Sequence, residues 1–114
     1  MKYIAKAQTQ KFTNSASCVV FEYPFGNKDI NGAVSIVNGR YPEQGRVTNE
    51  VCKELMYVIS GTGVLYIGKT VQKLEVGGLV FIEPGDEYYL EGKDLEVFMP
   101  CSPAWYPGQH KQII

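Results

Sequence analysis

Glycines divide the stretch from Gly45 to Gly85 into short apolar segments, and this division constrains the fold more than any other feature of the chain. The segments ELMYVIS, VLYI and LVFI are rich in β-branched and aromatic residues and have the length of β-strands. Turn residues recur roughly every six to ten positions. No segment places apolar residues at helical spacing over more than about two turns. The pattern predicts an all-β domain, either a sandwich or a barrel.

Alternation within the strands predicts which side chains share a face. In the strand Glu54–Ser60, one face carries Glu54 with two apolar residues, and the other face is entirely apolar. We expect Glu54 to point into a cavity and the apolar stripe Leu55, Tyr57 and Ile59 to belong to the core. The run Leu79–Ile82 predicts a strand that is buried on both faces. Gly61–Gly63 predicts a tight turn.

Length and composition limit the classes of protein that this chain can represent. Its 114 residues suit one domain, 1–114. The net charge is -1, from 11 basic and 12 acidic residues, so we expect neither nucleic-acid nor membrane partners. The three cysteines include no CxxC pair, which predicts free thiols rather than a disulfide framework or a structural zinc site. The N-terminal residues lack the apolar stretch of a signal peptide, and a cytoplasmic location is expected.

Two spaced motifs resemble those of the cupins, a superfamily of small jelly-roll barrels. Glu54, six residues and Gly61 reproduce the end of the first cupin motif. Gly77, five residues and then Glu83-Pro84-Gly85 reproduce the start of the second, with glutamate in place of its first proline. The resemblance covers residues 32–101. It implies a double-stranded β-helix and identifies the chain as a small single-domain member.

The resemblance also implies that the metal-binding histidines of the superfamily are missing. Metal-binding cupins hold iron, manganese, nickel or zinc through three imidazoles and the motif glutamate. The corresponding positions here hold Thr48 and Glu50 in one register or Val47 and Asn49 in the other, followed by Tyr88. Hydroxyl and amide groups are poor substitutes for imidazole. We therefore expect no metal and no other cofactor. The alternative is an atypical ligand set, consisting of Glu50, Cys52 and Glu54.

Glu54 and Tyr88 are the candidate catalytic residues. A carboxyl group in a cavity has a raised pKa, which suits proton transfer, and a phenol from the opposite strand can donate to a ligand. The alternative for Glu54 is a solvated strand-edge carboxylate or a pair with Arg40 or Arg46. The residues predicted to bind the ligand are Asn49, Glu50, Glu54, Met56, Tyr88, Phe98 and Trp105.

Two residues near the end of the chain have open or minor roles. Trp105 either closes the mouth of the cavity or packs on the outside, for instance at a subunit contact; the outside position is favoured slightly. His110 is the only histidine, and it is predicted to lie on the surface.

Three functions fit these observations, and the sequence does not decide whether the protein is an enzyme. The first is a metal-independent barrel that binds a small polar molecule, either a sugar derivative or a carboxylic acid, with isomerase- or lyase-type acid/base chemistry. The second is a non-catalytic ligand sensor or accessory module. The third is a metal-dependent oxygenase or isomerase with atypical ligands. Small cupins often pair through their outer sheet, so a homodimer is expected.

Overall fold

The computed structural model describes all 114 residues and is built almost entirely from β-strands. Two short 3₁₀ turns, Lys6–Gln8 and Pro107–Gln109, are its helical elements. Neither of these turns has the length or the apolar content that a helix needs to span a bilayer. The strands β1 to β9 are, in order, Gln10–Ser15, Cys18–Tyr23, Asn31–Tyr41, Arg46–Asn49, Lys53–Ile67, Thr70–Leu74, Leu79–Ile82, Tyr88–Ser102 and His110–Ile113.

Strands β5 and β8 are the two longest strands and form the centre of the sheet. Each has 15 residues, and they pair antiparallel along their whole length, from Lys53 opposite Ser102 to Ile67 opposite Tyr88. On its other edge, β5 pairs with β7 and then with β6, while β8 pairs with β3 and, at Tyr88, with β4. Strands β1 and β2 extend the sheet beyond β3. The result is a single sheet that curls into a half-barrel, and the predicted all-β class is confirmed.

The concave face of the curled sheet holds the core. Along β5, Met56 and Val58 are fully buried and Glu54 is 8% exposed, so the predicted face of this strand does point inward. Leu90, Leu95 and Val97 supply the matching buried positions of β8. The inward faces of β3, β5 and β8 therefore bury the apolar side chains that hold the half-barrel together.

The prediction for the opposite faces of β5 and β7 is wrong. Tyr57 and Ile59 are exposed rather than part of the core. Leu79 and Phe81 are 61% and 53% exposed, so Leu79–Ile82 is not buried on both sides. The reason is that no second layer covers the convex face of this sheet. Each strand has one covered side, and its apolar residues at alternate positions extend outward.

The predicted turn at Gly61 is also wrong, because β5 continues through it to Ile67. The pairing with β8 shifts register between Val58 and Ser60 and again between Ser60 and Thr62, which indicates a bulge at Gly61. Gly61 has a φ of +79°, and a Cβ at this position would overlap the carbonyl group of Asp94. The glycine thus lets one long strand bend around the barrel instead of reversing the chain.

Candidate active site

A cavity of about 500 Å³ opens on the concave face of the sheet. Residues of β1 to β5 and of β8 form its walls, and the C-terminal segment closes one side. Most of the lining residues are apolar. No lysine or arginine lines the cavity. The polar side chains of the wall include those of Asn14, Glu22, Asn31, Ser35, Asn49 and Glu54.

Glu54 lies in the cavity wall at the start of β5, as predicted. Burial raises the pKa of its carboxyl group to about 7. Its protein partner is the amide of Asn49, whose Nδ2 donates a long hydrogen bond of 3.5 Å to Oε1. Neither proposed arginine pairs with it. The Arg40 guanidinium lies 4.0 Å from the ring centroid of Tyr89, and Arg46 donates to the carbonyl groups of Tyr66 and Glu87.

Tyr88 enters the same cavity from the first residue of β8. The side chain is only 5% exposed. Burial raises its pKa well above the usual value for tyrosine, and the charges of Glu54 and Tyr41 act in the same direction. The hydroxyl group therefore keeps its proton at neutral pH. Tyr88 can donate a hydrogen bond to a ligand but is not suited to act as a base.

The C-terminal segment brings His110 into the site, which corrects the prediction that it lies on the surface. Strand β9 pairs antiparallel with β4, and His110 lies directly opposite Asn49. The imidazole is partly buried and lines the cavity. Its Nδ1 lies 2.8 Å from Asn49 Oδ1, and its Nε2 lies 3.3 Å from the hydroxyl oxygen of Tyr41. Burial lowers the pKa of His110 below its usual value.

Trp105 lines the cavity and does not lie on the outside of the sheet. Its indole Nε1 donates a hydrogen bond of 3.0 Å to Asn49 Oδ1. The indole ring meets the imidazole of His110 edge-on, with 5.8 Å between the ring centroids. Of the two positions left open by the sequence, the structure therefore supports the one at the cavity.

Other predicted ligand-binding residues divide between the cavity and the surface. Asn49 and Met56 line the cavity together with Glu54, Tyr88 and Trp105. Glu50 and Phe98 do not. The carboxylate of Glu50 is exposed, 3.9 Å from the ammonium group of Lys111, and Phe98 lies on the convex face of β8. Alternation explains Phe98, which lies between the inward-facing Val97 and Met99. Glu50 lies one residue beyond the end of β4.

Two residues of the cavity, Tyr41 and His110, were not predicted from the sequence. Tyr41 was detectable in principle, because it has the same parity along β3 as the buried residues Ser35 and Val37. His110 carries no such signal. Its position depends on the pairing of β9 with β4, two strands separated by about half of the chain.

The cavity offers few side chains that could bind a metal ion. The structure contains no group of three or more His, Cys, Asp or Glu side chains that could hold a metal ion. In particular, Glu50 extends away from Glu54 toward Lys111, so the atypical ligand set is not assembled. Metal-independent function remains a prediction.

Comparison with known proteins supports the fold. No protein-family model matches the sequence, and no curated protein matches it significantly. Among solved structures, Streptomyces PAC13, described as a nucleoside dehydratase, superposes with a TM-score of 0.87 at 18% identity, over 99% of this chain and 92% of that chain. Three further structures of PAC13 variants, two Tyr-to-Phe and one His-to-Gln, contain uridine.

Two other structures are similar at lower scores. An RmlC-like cupin from Shewanella frigidimarina has a TM-score of 0.73 at 16% identity, over 91% of this chain and 92% of that chain. KdgF from Halomonas sp. also has a TM-score of 0.73, at 12% identity, over 90% of this chain and 94% of that chain. The resemblance inferred from the two sequence motifs is confirmed at the level of the fold, and this chain has the cupin fold.

Proposed function

We propose that this protein binds a small neutral sugar derivative in its cavity and performs lyase-type acid/base chemistry on it. The observation that carries the proposal is the state of Glu54, a buried carboxyl group in the cavity wall whose pKa is about 7. At neutral pH such a group populates both its protonated and its ionised form, as a general acid or base requires. The volume of about 500 Å³ lies within the range of small-molecule sites.

The charge of the cavity favours a neutral ligand. Glu22 and Glu54 are the acidic residues of its lining, and no lysine or arginine is present to bind a phosphate or a carboxylate. An anion would lose its hydration without gaining a charged partner. Of the two ligand classes left open by the sequence, the sugar derivative is therefore favoured over the carboxylic acid.

The structural neighbours support this choice. PAC13 is described as a nucleoside dehydratase, and its variants bind uridine, which is a neutral sugar derivative. Dehydration is a lyase reaction. At 18% identity the likeness concerns the fold, so the reaction class is carried to this chain as a proposal.

Water elimination needs an acid at the leaving hydroxyl group, and Glu54 is suited to this role. As the carbon–oxygen bond breaks, the departing oxygen takes the proton of the protonated carboxyl group and leaves as water. Tyr88 keeps its proton and donates a hydrogen bond that orients the ligand. A positioned acid of this kind contributes roughly 10²–10⁴-fold to the rate.

Binding of uridine and of neutral aldopentoses, followed by NMR titration, tests the proposal. Glu54→Gln keeps the shape of the carboxyl group but cannot release a proton, and we expect it to retain binding and lose turnover. Turnover is read as the absorbance of the unsaturated product. Glu50→Gln is the matched control, because this nearby carboxylate lies on the surface. Equal turnover by Glu54→Gln and the wild type would exclude the catalytic role of Glu54.

The non-catalytic alternative makes a different prediction in the same experiment, namely binding without turnover by any variant. An accessory module without a ligand would have its cavity filled by Met56, Phe81 and Phe98. Phe81 and Phe98 instead lie on the convex face, and the cavity is open. This arrangement favours a protein that binds a ligand.

We also propose that the protein is a homodimer that pairs through the convex face. Leu79, Tyr57 and Phe98 lie side by side on β7, β5 and β8, as register partners in one row across the sheet. All three side chains are exposed. A row of this kind is apolar along its whole length and can face its own copy across a two-fold axis.

A further inference from the structure

Asn49 Oδ1 lies within hydrogen-bond distance of two nitrogen atoms, and this arrangement determines the orientation of the amide. Trp105 Nε1 lies at 3.0 Å and His110 Nδ1 at 2.8 Å. The indole nitrogen is only a donor. The atom that it contacts must therefore be the amide oxygen, because the NH₂ group would place two donors against each other. Trp105 thus fixes Asn49, with Nδ2 directed toward Glu54.

The fixed amide determines the tautomer of His110 in turn. An amide oxygen only accepts hydrogen bonds, so Nδ1 of the imidazole must carry a proton. In the neutral ring the lone pair then lies on Nε2. Burial favours the neutral ring, because it lowers the pKa of His110. The Nε2 lone pair faces the cavity next to the hydroxyl group of Tyr41.

Tyr41 supplies the hydrogen bond that this lone pair accepts. Burial raises the pKa of Tyr41 to about 12, with smaller contributions from Cys18 and Glu54, so its hydroxyl group keeps its proton. The phenol therefore donates to Nε2 across 3.3 Å. This contact is long for an O–H donor, and a ligand hydroxyl or C–H group can compete with it for the lone pair.

We propose that His110 is a second catalytic residue of the cavity and acts through Nε2 as the base that complements the acid Glu54. The catalytic part rests on the proposed function, whereas the tautomer does not. In the elimination, Nε2 takes a proton from the ligand carbon next to the one bearing the hydroxyl group. The electrons of that C–H bond form the double bond, and the hydroxyl group leaves with the proton of Glu54 as water.

The two groups end the step with opposite charges, a protonated imidazole and a carboxylate. Asn49 lies between them and contacts both, with its oxygen at the imidazole and its nitrogen at the carboxylate. Both contacts match the charges of the product state, because an oxygen dipole faces the cation and an N–H dipole faces the anion. Exchange with solvent returns the proton from His110 to Glu54. Asn49 and Trp105 are positioning residues in this scheme.

The tautomer can be measured directly, because the chain contains a single histidine. In ¹⁵N NMR of the imidazole at pH 7.5, Nδ1 is expected to be protonated and Nε2 to be unprotonated. Trp105→Phe removes the donor that fixes the amide and should produce a mixture of tautomers, while Lys111→Gln, on the same strand, should leave the spectrum unchanged. A protonated Nε2 with an unprotonated Nδ1 in the wild type would overturn the inference.

The catalytic role is tested separately from the proposed function. His110→Gln is expected to retain the binding of uridine. Its kcat for uridine and the neutral aldopentoses is expected to fall roughly 100-fold or more. Uridine is also expected to shift the Nε2 resonance of the wild type. Full turnover by His110→Gln, with Glu54→Gln inactive, would reject the base and leave the proposed function standing. Inactivity of Glu54→Gln and His110→Gln together, with binding intact, supports both.

Discussion

Gln109 accepts a hydrogen bond from the backbone N–H of Cys52, with 2.7 Å between Oε1 and the nitrogen atom. The same oxygen accepts the N–H of Val51 at 3.1 Å, and the carbonyl group of Gln109 accepts the N–H of Glu50 at 3.0 Å. These bonds connect the C-terminal segment to the connection between β4 and β5. The side chain is almost fully buried. This contact holds His110 and Trp105 against the cavity.

Gln109→Met is therefore expected to destabilise the fold. Methionine has a similar length but no strong acceptor, so two backbone N–H groups lose their partner, one of them buried. A cost of about 2 kcal/mol in the free energy of unfolding is expected, measured by urea denaturation. Gln112→Met is the control, because its side chain is exposed and donates to a single carbonyl group, that of Gln44. Equal stability of the two variants would contradict the anchoring role.

Glu54→Gln is expected to change how stability depends on pH. In the folded protein the pKa of Glu54 is about 7, against 4.5 for an ordinary glutamate. Between these values the folded state binds more protons than the unfolded state, so wild-type stability falls as pH rises. Glutamine does not titrate. The variant should match the wild type near pH 4 and exceed it by about 3 kcal/mol near pH 8.

Thermal or urea unfolding of both proteins from pH 4 to pH 8 measures this difference. Because the variant and the wild type share every other titrating group, the comparison isolates Glu54. His110 acts in the opposite direction, because its lowered pKa reduces stability as pH falls. This contribution is the same in both proteins and does not affect the difference between them. A constant difference across the range would place Glu54 in contact with water.

The sequence predicted the fold because its signals are local. The strand lengths, the glycine spacing and the motif around Glu54 and Gly61 each lie within a few residues of one another. The inward direction of Glu54 followed from its position in the first motif. Alternation then placed Met56 beside it correctly. These inferences needed no knowledge of distant strand pairs.

Errors arose where the answer depended on what covers a face or on long-range pairing. Alternation separates the two faces of β5, but an apolar face looks the same whether it is in the core or exposed, so Tyr57 was assigned wrongly. His110 and Trp105 belong to the cavity because β9 returns to β4. No local pattern in residues 100–114 indicates that return. The lining of the cavity was therefore only half predictable, since Glu54 and Tyr88 were expected there and Tyr41 and His110 were missed.

Dimer formation is predicted to depend on the exposed apolar residues of the convex face, which are the row Leu79, Tyr57 and Phe98 and the neighbouring Phe81. The double substitution Leu79→Lys and Phe81→Lys places two charges on the outer face of β7, because the wild-type side chains at both positions are more than half exposed. We expect a monomer by size-exclusion chromatography with light scattering, because an interface cannot bury unpaired ammonium groups. Val71→Lys on β6, which is also exposed, should remain a dimer. A wild-type monomer at high micromolar concentration would exclude the proposed pairing.

Gly61→Ala is expected to be the most damaging small substitution in β5. The residue has a φ of +79°, and an added Cβ would overlap the carbonyl group of Asp94 and press on Leu95 in the paired strand. Relief requires β5 and β8 to separate at the bulge, at a cost of about 3 kcal/mol or more in the free energy of unfolding.

Gly68→Ala provides the control, since Gly68 also has a positive φ, +57°, but nothing lies within 4 Å of the added atom. It should cost only about 1 kcal/mol, from backbone conformation alone. Urea denaturation of both variants separates the two effects, and equal losses would mean that the bend of β5 tolerates a side chain.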